Sequence, residues 1–201
     1  MKTTPTHFTL PNVLSAYRLA SFPALLWLIY THNESLFAWI LCINLITDIL
    51  DGWIARTFNL QTDLGARLDS LADYGTYIAA VCGIYRFKYD ELGDMGWMLW
   101  VFIGLILLYN GVSFIKFKKF PSLHMYSTRI GGYIQGIFFF VLFADDFYAW
   151  LYVLAMVWGF LSALEEIAVL WVLPELKSNA KGLYWVLQDG TNRNSSVDQQ
   201  L

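Results

Sequence analysis

At 201 residues the chain suits one ordinary domain, yet 57% of it is hydrophobic and 18% aromatic, more apolar surface than a soluble core of that size buries. A formal net charge of −3, with the basic residues in small groups, removes the electrostatic case for a nucleic-acid partner. Cys42 and Cys82 both stand inside apolar runs, which argues against a disulfide framework and against a thiolate metal site.

In chain order, residues 1–10 hold one lysine and no apolar core, and no small-residue cleavage site follows the first apolar stretch, so a removable signal peptide is not expected. Spans of roughly 20 apolar residues, the length that crosses the hydrocarbon of a bilayer, are predicted at 12–31, 36–55, 68–86, 96–115, 129–148 and 150–172. The expected fold is therefore an all-α integral membrane protein with six transmembrane helices. Short connections at 31–35 and 144–146 predict antiparallel neighbours. Six spans place both termini and the second and fourth loops on one side of the membrane. Of the 13 lysines and arginines, only Arg86 and Lys88 fall on the other, which makes the first side cytoplasmic. Residues 1–187 read as one membrane domain, and 188–201, rich in Asn, Ser and Gln, as a polar tail predicted to be disordered.

Four of the six spans are imperfect. The first carries Arg18 and Pro23, the second Asp48 and Asp51, the third Asp69 and Asp73, and the sixth Glu165 and Glu166. On helical geometry Asp48 and Asp51 lie about 60° apart on one face, and Asp69 and Asp73 about 40° apart on the next. Two neighbouring arms can thus aim four carboxylates at one point. At membrane depth such a cluster is tolerable only with countercharge, since each carboxylate is expensive to bury and each repels the others. Hard oxygen ligands without His or Cys suit Mg²⁺ or Mn²⁺, and two such divalent cations would match the two-metal geometry of phosphoryl-type displacement.

Gly52, Ala55 and Gly65 are small enough to let a bulky ligand approach the backbone, and Arg56, one turn past Asp51, is placed to neutralise a phosphate. Taken singly, Gly52 and Ala55 also fit helix packing, and paired acidic residues also fit a transporter's cation site. Transporters of that kind commonly show paired halves, whereas all four aspartates here lie within one 26-residue window. A catalytically silent scaffold is a further alternative, against which the intact carboxylate set argues.

The run Asp48-x2-Asp51-Gly52-x2-Ala55-Arg56-x8-Gly65-x3-Asp69-x3-Asp73 resembles the signature of the CDP-alcohol phosphotransferases at every specified position. The opening Pro11-Asn12-x-Leu14-Ser15-x-x-Arg18 and the six-helix plan are similar to the family as well. The resemblance implies an enzyme, a phospholipid synthase that moves a phosphatidyl group from CDP-diacylglycerol to an alcohol and releases CMP. It implies that Asp48, Asp51 and Asp69 are metal ligands, Asp69 being shared between two ions. Asp73 would be the general base on the acceptor hydroxyl and a further metal contact. Gly52, Ala55, Arg56 and Gly65 would line the CDP site. A homodimer is implied too, in a bacterial inner membrane with the active site facing the cytoplasm. Asn12 and Arg18 are candidates for the donor pyrophosphate, or else for anchoring at the interface.

The acceptor is less sharply marked. Lys116, Lys118, Lys119, His124 and Arg129 gather where the fourth loop meets the fifth helix, as a phosphorylated acceptor would require. The same lysines also satisfy the positive-inside rule and suit anionic lipid. Arg129, inside the helix, is the stronger acceptor candidate. His124 is expected to orient the acceptor or to cap the helix. The preferred acceptor is sn-glycerol 3-phosphate, with inositol phosphate, inositol and serine left open. Glu165 or Glu166 is expected to face a cavity or to pair with a cation such as Arg129.

Overall fold

A computed structural model of the chain describes residues 9–58, 60, 62–118, 125–173, 182–186 and 188, apart from the side chains at 56, 63 and 66. Among these residues all regular structure is helical. The long helices are α1 (Leu10–Tyr30), α2 (Glu34–Thr57), α3 (Asp63–Gly83), α4 (Gly96–Phe117), α5 (Tyr126–Ala144) and α6 (Ala149–Val172). Five stretches are long and apolar enough to cross a membrane, Leu10–Tyr30, Glu34–Ala55, Arg67–Phe117, Tyr126–Ala144 and Ala149–Val172, which makes this a multi-pass membrane protein. Large apolar side chains such as Trp27, Trp39, Ile115 and Trp171 lie on the outside of the helices, a surface that lipid accepts and water does not. The tail predicted at 188–201 lies outside the described residues except for Gln188.

The helix boundaries differ from the sequence expectation where local chemistry intervenes. The third helix begins at Asp63 rather than 68 because Thr62 caps it, its Oγ1 accepting the Gly65 N–H at 2.9 Å. Its far end does not stop cleanly but runs through a π turn (Ile84–Lys88) into a 3-10 segment (Tyr89–Met95). Gly93, at φ 49° and ψ −132°, breaks the helical path there, a conformation that side-chain-bearing residues rarely adopt. Asn33 starts α2, its side chain accepting the Leu36 N–H at 3.2 Å.

The chain forms two compact units. The first comprises Met1–Gly93 with Phe139–Phe147, and in it α1 packs against both α2 and α3. The inward stripe of α1 runs through Asn12, Ser15, Arg18, Ser21, Leu25 and Leu28, steps of three and four residues that keep one face turned inward. That stripe is polar over its first half and apolar beyond. The apolar half sits with Phe37, Leu41, Ala79 and Ala80 in the core of the unit. Ser21 joins the two halves by accepting the Asn44 side-chain amide at 2.7 Å. At the end of this unit remote from the aspartates, Lys88 pairs with Glu34 at 3.1 Å and Glu91 at 3.0 Å.

The second unit comprises Asp94–Phe138 with Tyr148–Leu201, and in it α4 packs against α6. Tyr109, Met125, Val169, Leu170 and Leu173 form a buried cluster, against which Leu183 and Val186 of the C-terminal segment pack.

Candidate active site

Antiparallel connection of α1, α2 and α3 brings the first turns of α1, the last turns of α2 and the first turns of α3 to one end of the first unit. The four aspartates converge there on the guanidinium of Arg18, which reaches them from α1 and is itself 1% exposed. Its Nη1 donates to Asp48 Oδ1 and, at 2.7 Å, to Asp73 Oδ1. Its Nη2 donates to Asp51 Oδ2 at 2.8 Å and to Asp69 Oδ1 at 2.5 Å. Ser15, one turn earlier on α1, has its hydroxyl 3.2 Å from Asp51 Oδ2. Oxygens from Asp48, Asp51 and Asp69 all lie within 4.8 Å of one another.

The site has a closed floor and an open mouth. The Asp51 side chain is 4% exposed, while those of Asp48, Asp69 and Asp73 are 43%, 43% and 51% exposed. Among the described residues a single guanidinium faces the four carboxylates, a cluster whose mutual repulsion favours a further cation. An all-oxygen donor set of this charge suits a hard divalent cation such as Mg²⁺ or Mn²⁺.

Gly65 and Asn12 form the side wall. Asn12 is buried and its Nδ2 donates to Thr62 Oγ1 at 3.2 Å. A Cβ on Gly65 would stand 2.3 Å from Asn12 Oδ1 and 2.9 Å from Thr62 Oγ1, so this glycine is what allows α1 to close on the start of α3. Gly52 and Ala55 are half-buried on α2. Arg56 belongs to the last turn of α2, but its side chain lies outside the described residues.

Sequence reading gave Arg18 a role towards phosphate and gave Ser15 and Thr62 none. The signal was the three-residue spacing of Asn12, Ser15, Arg18 and Ser21, which puts four polar groups on one helix face.

Of the residues considered for the acceptor, Lys116 and Arg129 lie in the second unit. Lys116 Nζ donates to the carbonyls of Leu170, Trp171 and Leu173 at 2.8, 2.9 and 2.9 Å, so all three of its donors are used in closing the C-terminus of α6. Arg129 is exposed and makes no ion pair among the described residues. Lys119 and His124 lie outside the described residues. Glu165 makes no ion pair among the described residues. Its carboxylate accepts the Ser127 hydroxyl and, at 3.0 Å, the Leu183 N–H, tying the first turn of α5 to the C-terminal segment. Glu166 meets the hydroxyl of Tyr109 instead.

A family model described as CDP-alcohol phosphatidyltransferase matches residues 8–172. The chain is 28% identical over 116 residues to the CDP-diacylglycerol–glycerol-3-phosphate 3-phosphatidyltransferase of Aquifex aeolicus, covering 58% of this chain and 65% of that one. It is 39% identical over 67 residues to the protein of the same name from Rickettsia bellii, covering 32% and 37%. It is 39% identical over 116 residues to the human cardiolipin synthase (CMP-forming), covering 57% and 38%. Each match thus spans less than two thirds of the relative's own length. No solved structure matches the chain.

Proposed function

Since the chain belongs to the CDP-alcohol phosphatidyltransferase family, we propose that it transfers a phosphatidyl group from CDP-diacylglycerol to sn-glycerol 3-phosphate, with CMP as the leaving group. The observation that carries this reading is the convergence of Asp48, Asp51, Asp69 and Asp73 at the open end of one helical unit. Relatives named for the glycerol-3-phosphate reaction support the choice of acceptor.

Asp48, Asp51 and Asp69 would hold divalent cations, with Asp73 beside them. Without such ions the clustered carboxylates would repel the anionic pyrophosphate of the donor. Bound there, they would neutralise the pyrophosphate and stabilise the charge that develops on CMP. Asp73, the most exposed of the four side chains, takes the proton of the acceptor hydroxyl. That oxygen bonds to the phosphorus bearing the diacylglycerol, and the electron pair of the breaking pyrophosphate bond leaves on CMP. Asn12, Gly52, Ala55, Arg56 and Gly65 line the donor side. Arg129, with Lys119 and His124, would meet the acceptor, a role for which Lys116 has no donor left over.

The membrane plan in this proposal has six crossings with the site and both termini facing the cytoplasm, and two copies of the chain form a dimer. Supporting the sixth crossing, the 51-residue stretch Arg67–Phe117 is interrupted at Gly93. At about 1.5 Å per residue it is also far longer than a bilayer core of about 30 Å.

The likeness to human cardiolipin synthase favours a second reading, the same transfer onto phosphatidylglycerol. An acceptor panel with radiolabelled CDP-diacylglycerol in detergent, with Mg²⁺ or Mn²⁺ added or chelated, separates the two. Phosphatidylglycerophosphate formed from glycerol 3-phosphate supports the first, and cardiolipin formed from phosphatidylglycerol the second. CMP released only with inositol or serine overturns both, and full activity after chelation overturns the metal role.

A further inference from the structure

Arg18 reaches the carboxylates from α1, the helix that supplies none of them. Each of its two terminal nitrogens is shared between two aspartates, one on α2 and one on α3: Nη1 between Asp48 and Asp73, Nη2 between Asp51 and Asp69. The planar fork of a guanidinium is suited to this bridging, whereas an ammonium is a point charge. The third donor, Nε–H, is buried and has no acceptor among the described residues. A buried charged group with one donor left over is not held in its best possible state, and an acceptor arriving in the site would complete it.

The oxygens that Arg18 uses on Asp48, Asp51 and Asp69 belong to the three carboxylates best placed to hold a cation. A divalent ion demands short oxygen contacts of about 2.0–2.2 Å and carries like charge to the guanidinium, so the two cannot keep the same oxygens together.

We propose that Arg18 is an internal counter-cation, which holds the four carboxylates assembled across α2 and α3 before ion and donor arrive and competes with divalent ions for their oxygens. When ions bind, the displaced guanidinium, with its spare donor, is available to a phosphate of the donor. The proposal rests on the metal-binding reading above and goes beyond it. Arg18 is given two successive partners, the carboxylates and then a phosphate of the donor.

The test is Arg18→Gln, shorter, polar and uncharged, purified in detergent after chelation. Mn²⁺ binding is followed by the loss of the free-ion EPR signal, and thermal unfolding is followed with and without Mn²⁺. Loss of one competing charge at contact distance is expected to tighten Mn²⁺ binding by roughly tenfold or more. The metal-free protein should melt lower than wild type, and Mn²⁺ should raise its midpoint by more than it raises that of wild type. A folded Arg18→Gln protein with unchanged or weaker Mn²⁺ affinity and an unchanged metal-free midpoint overturns the proposal. Arg18→Gln protein that can be purified only with Mn²⁺ present supports it. If that variant does not fold under either condition, Arg18→Lys decides, since an ammonium bridges the four carboxylates poorly. Tighter Mn²⁺ binding than wild type supports the proposal, and equal affinity overturns it. Asp69→Ala is the control. Wild type that binds no Mn²⁺ dependent on Asp69 overturns the metal reading itself, and the metal-free melting of Arg18→Gln then still reports on the counter-cation role.

Discussion

Gly65→Ala places one methyl group where α1 closes on α3, and its effect can be worked from the contacts. The new Cβ would stand 2.3 Å from Asn12 Oδ1 and 2.9 Å from Thr62 Oγ1. Relief requires the Asn12 amide to retreat by about 1 Å in a buried, close-packed position, and overpacking of this kind costs about 1–3 kcal/mol. If Asn12 swings away it also gives up its bond to Thr62, a contribution of about 1 kcal/mol. A loss of about 2–4 kcal/mol lowers the melting midpoint of a chain this size by roughly 4–16 °C. With Asn12 on the donor side, as proposed, kcat/KM for CDP-diacylglycerol should fall by about 10- to 100-fold as well. The assay is thermal unfolding in detergent together with initial rates over a donor titration. Asn12→Ala removes the clashing oxygen, so the double variant should be more stable than the sum of the single effects predicts, by about 1 kcal/mol or more. Gly104→Ala is the comparison, because nothing lies within 4 Å of its added methyl. It should hold or raise the midpoint. A Gly65→Ala protein with wild-type melting and wild-type kcat/KM, or strict additivity with Asn12→Ala, would refute the close-approach argument.

Asp73→Asn should lower turnover by about 10²- to 10⁴-fold, the usual contribution of a positioned base, while CDP-diacylglycerol still binds; retained turnover removes Asp73 from the base role. Lys116→Met strips three carbonyls of their shared donor at the end of α6, and should lower stability by about 1–3 kcal/mol. Its KM for glycerol 3-phosphate should stay at the wild-type value, and a raised KM would return Lys116 to the acceptor site. Glu165→Ala leaves the Ser127 hydroxyl and the Leu183 N–H without their acceptor. Faster amide hydrogen exchange at 183–186 is the expected result, and unchanged protection would mean that apolar packing alone holds the segment.

Much of the fold was legible because helix formation and membrane insertion are local. A run of apolar residues near the bilayer's thickness announces itself wherever it occurs, and the six runs read from sequence correspond to α1 to α6 with boundaries shifted by a few residues. The shifts came from groups that a hydropathy window ignores, the Thr62 cap before α3 and the break at Gly93 after it. The convergence of the aspartates was legible for the same reason. Spacings of three and four residues on two helices joined by a short loop leave little choice of direction.

The sequence by itself determined that the chain is helical, crosses a membrane and gathers four carboxylates on one helical hairpin, since each of these follows from periodicity over neighbouring residues. Tertiary structure alone decided what those carboxylates face. Arg18 meets them across 30 to 55 residues of sequence, Lys116 finds its carbonyls 54 to 57 residues away, and Glu165 closes on Ser127 across 38. No local period encodes a partner at that distance. Such pairings are chosen when helices pack and each buried polar group takes the complementary group within its reach.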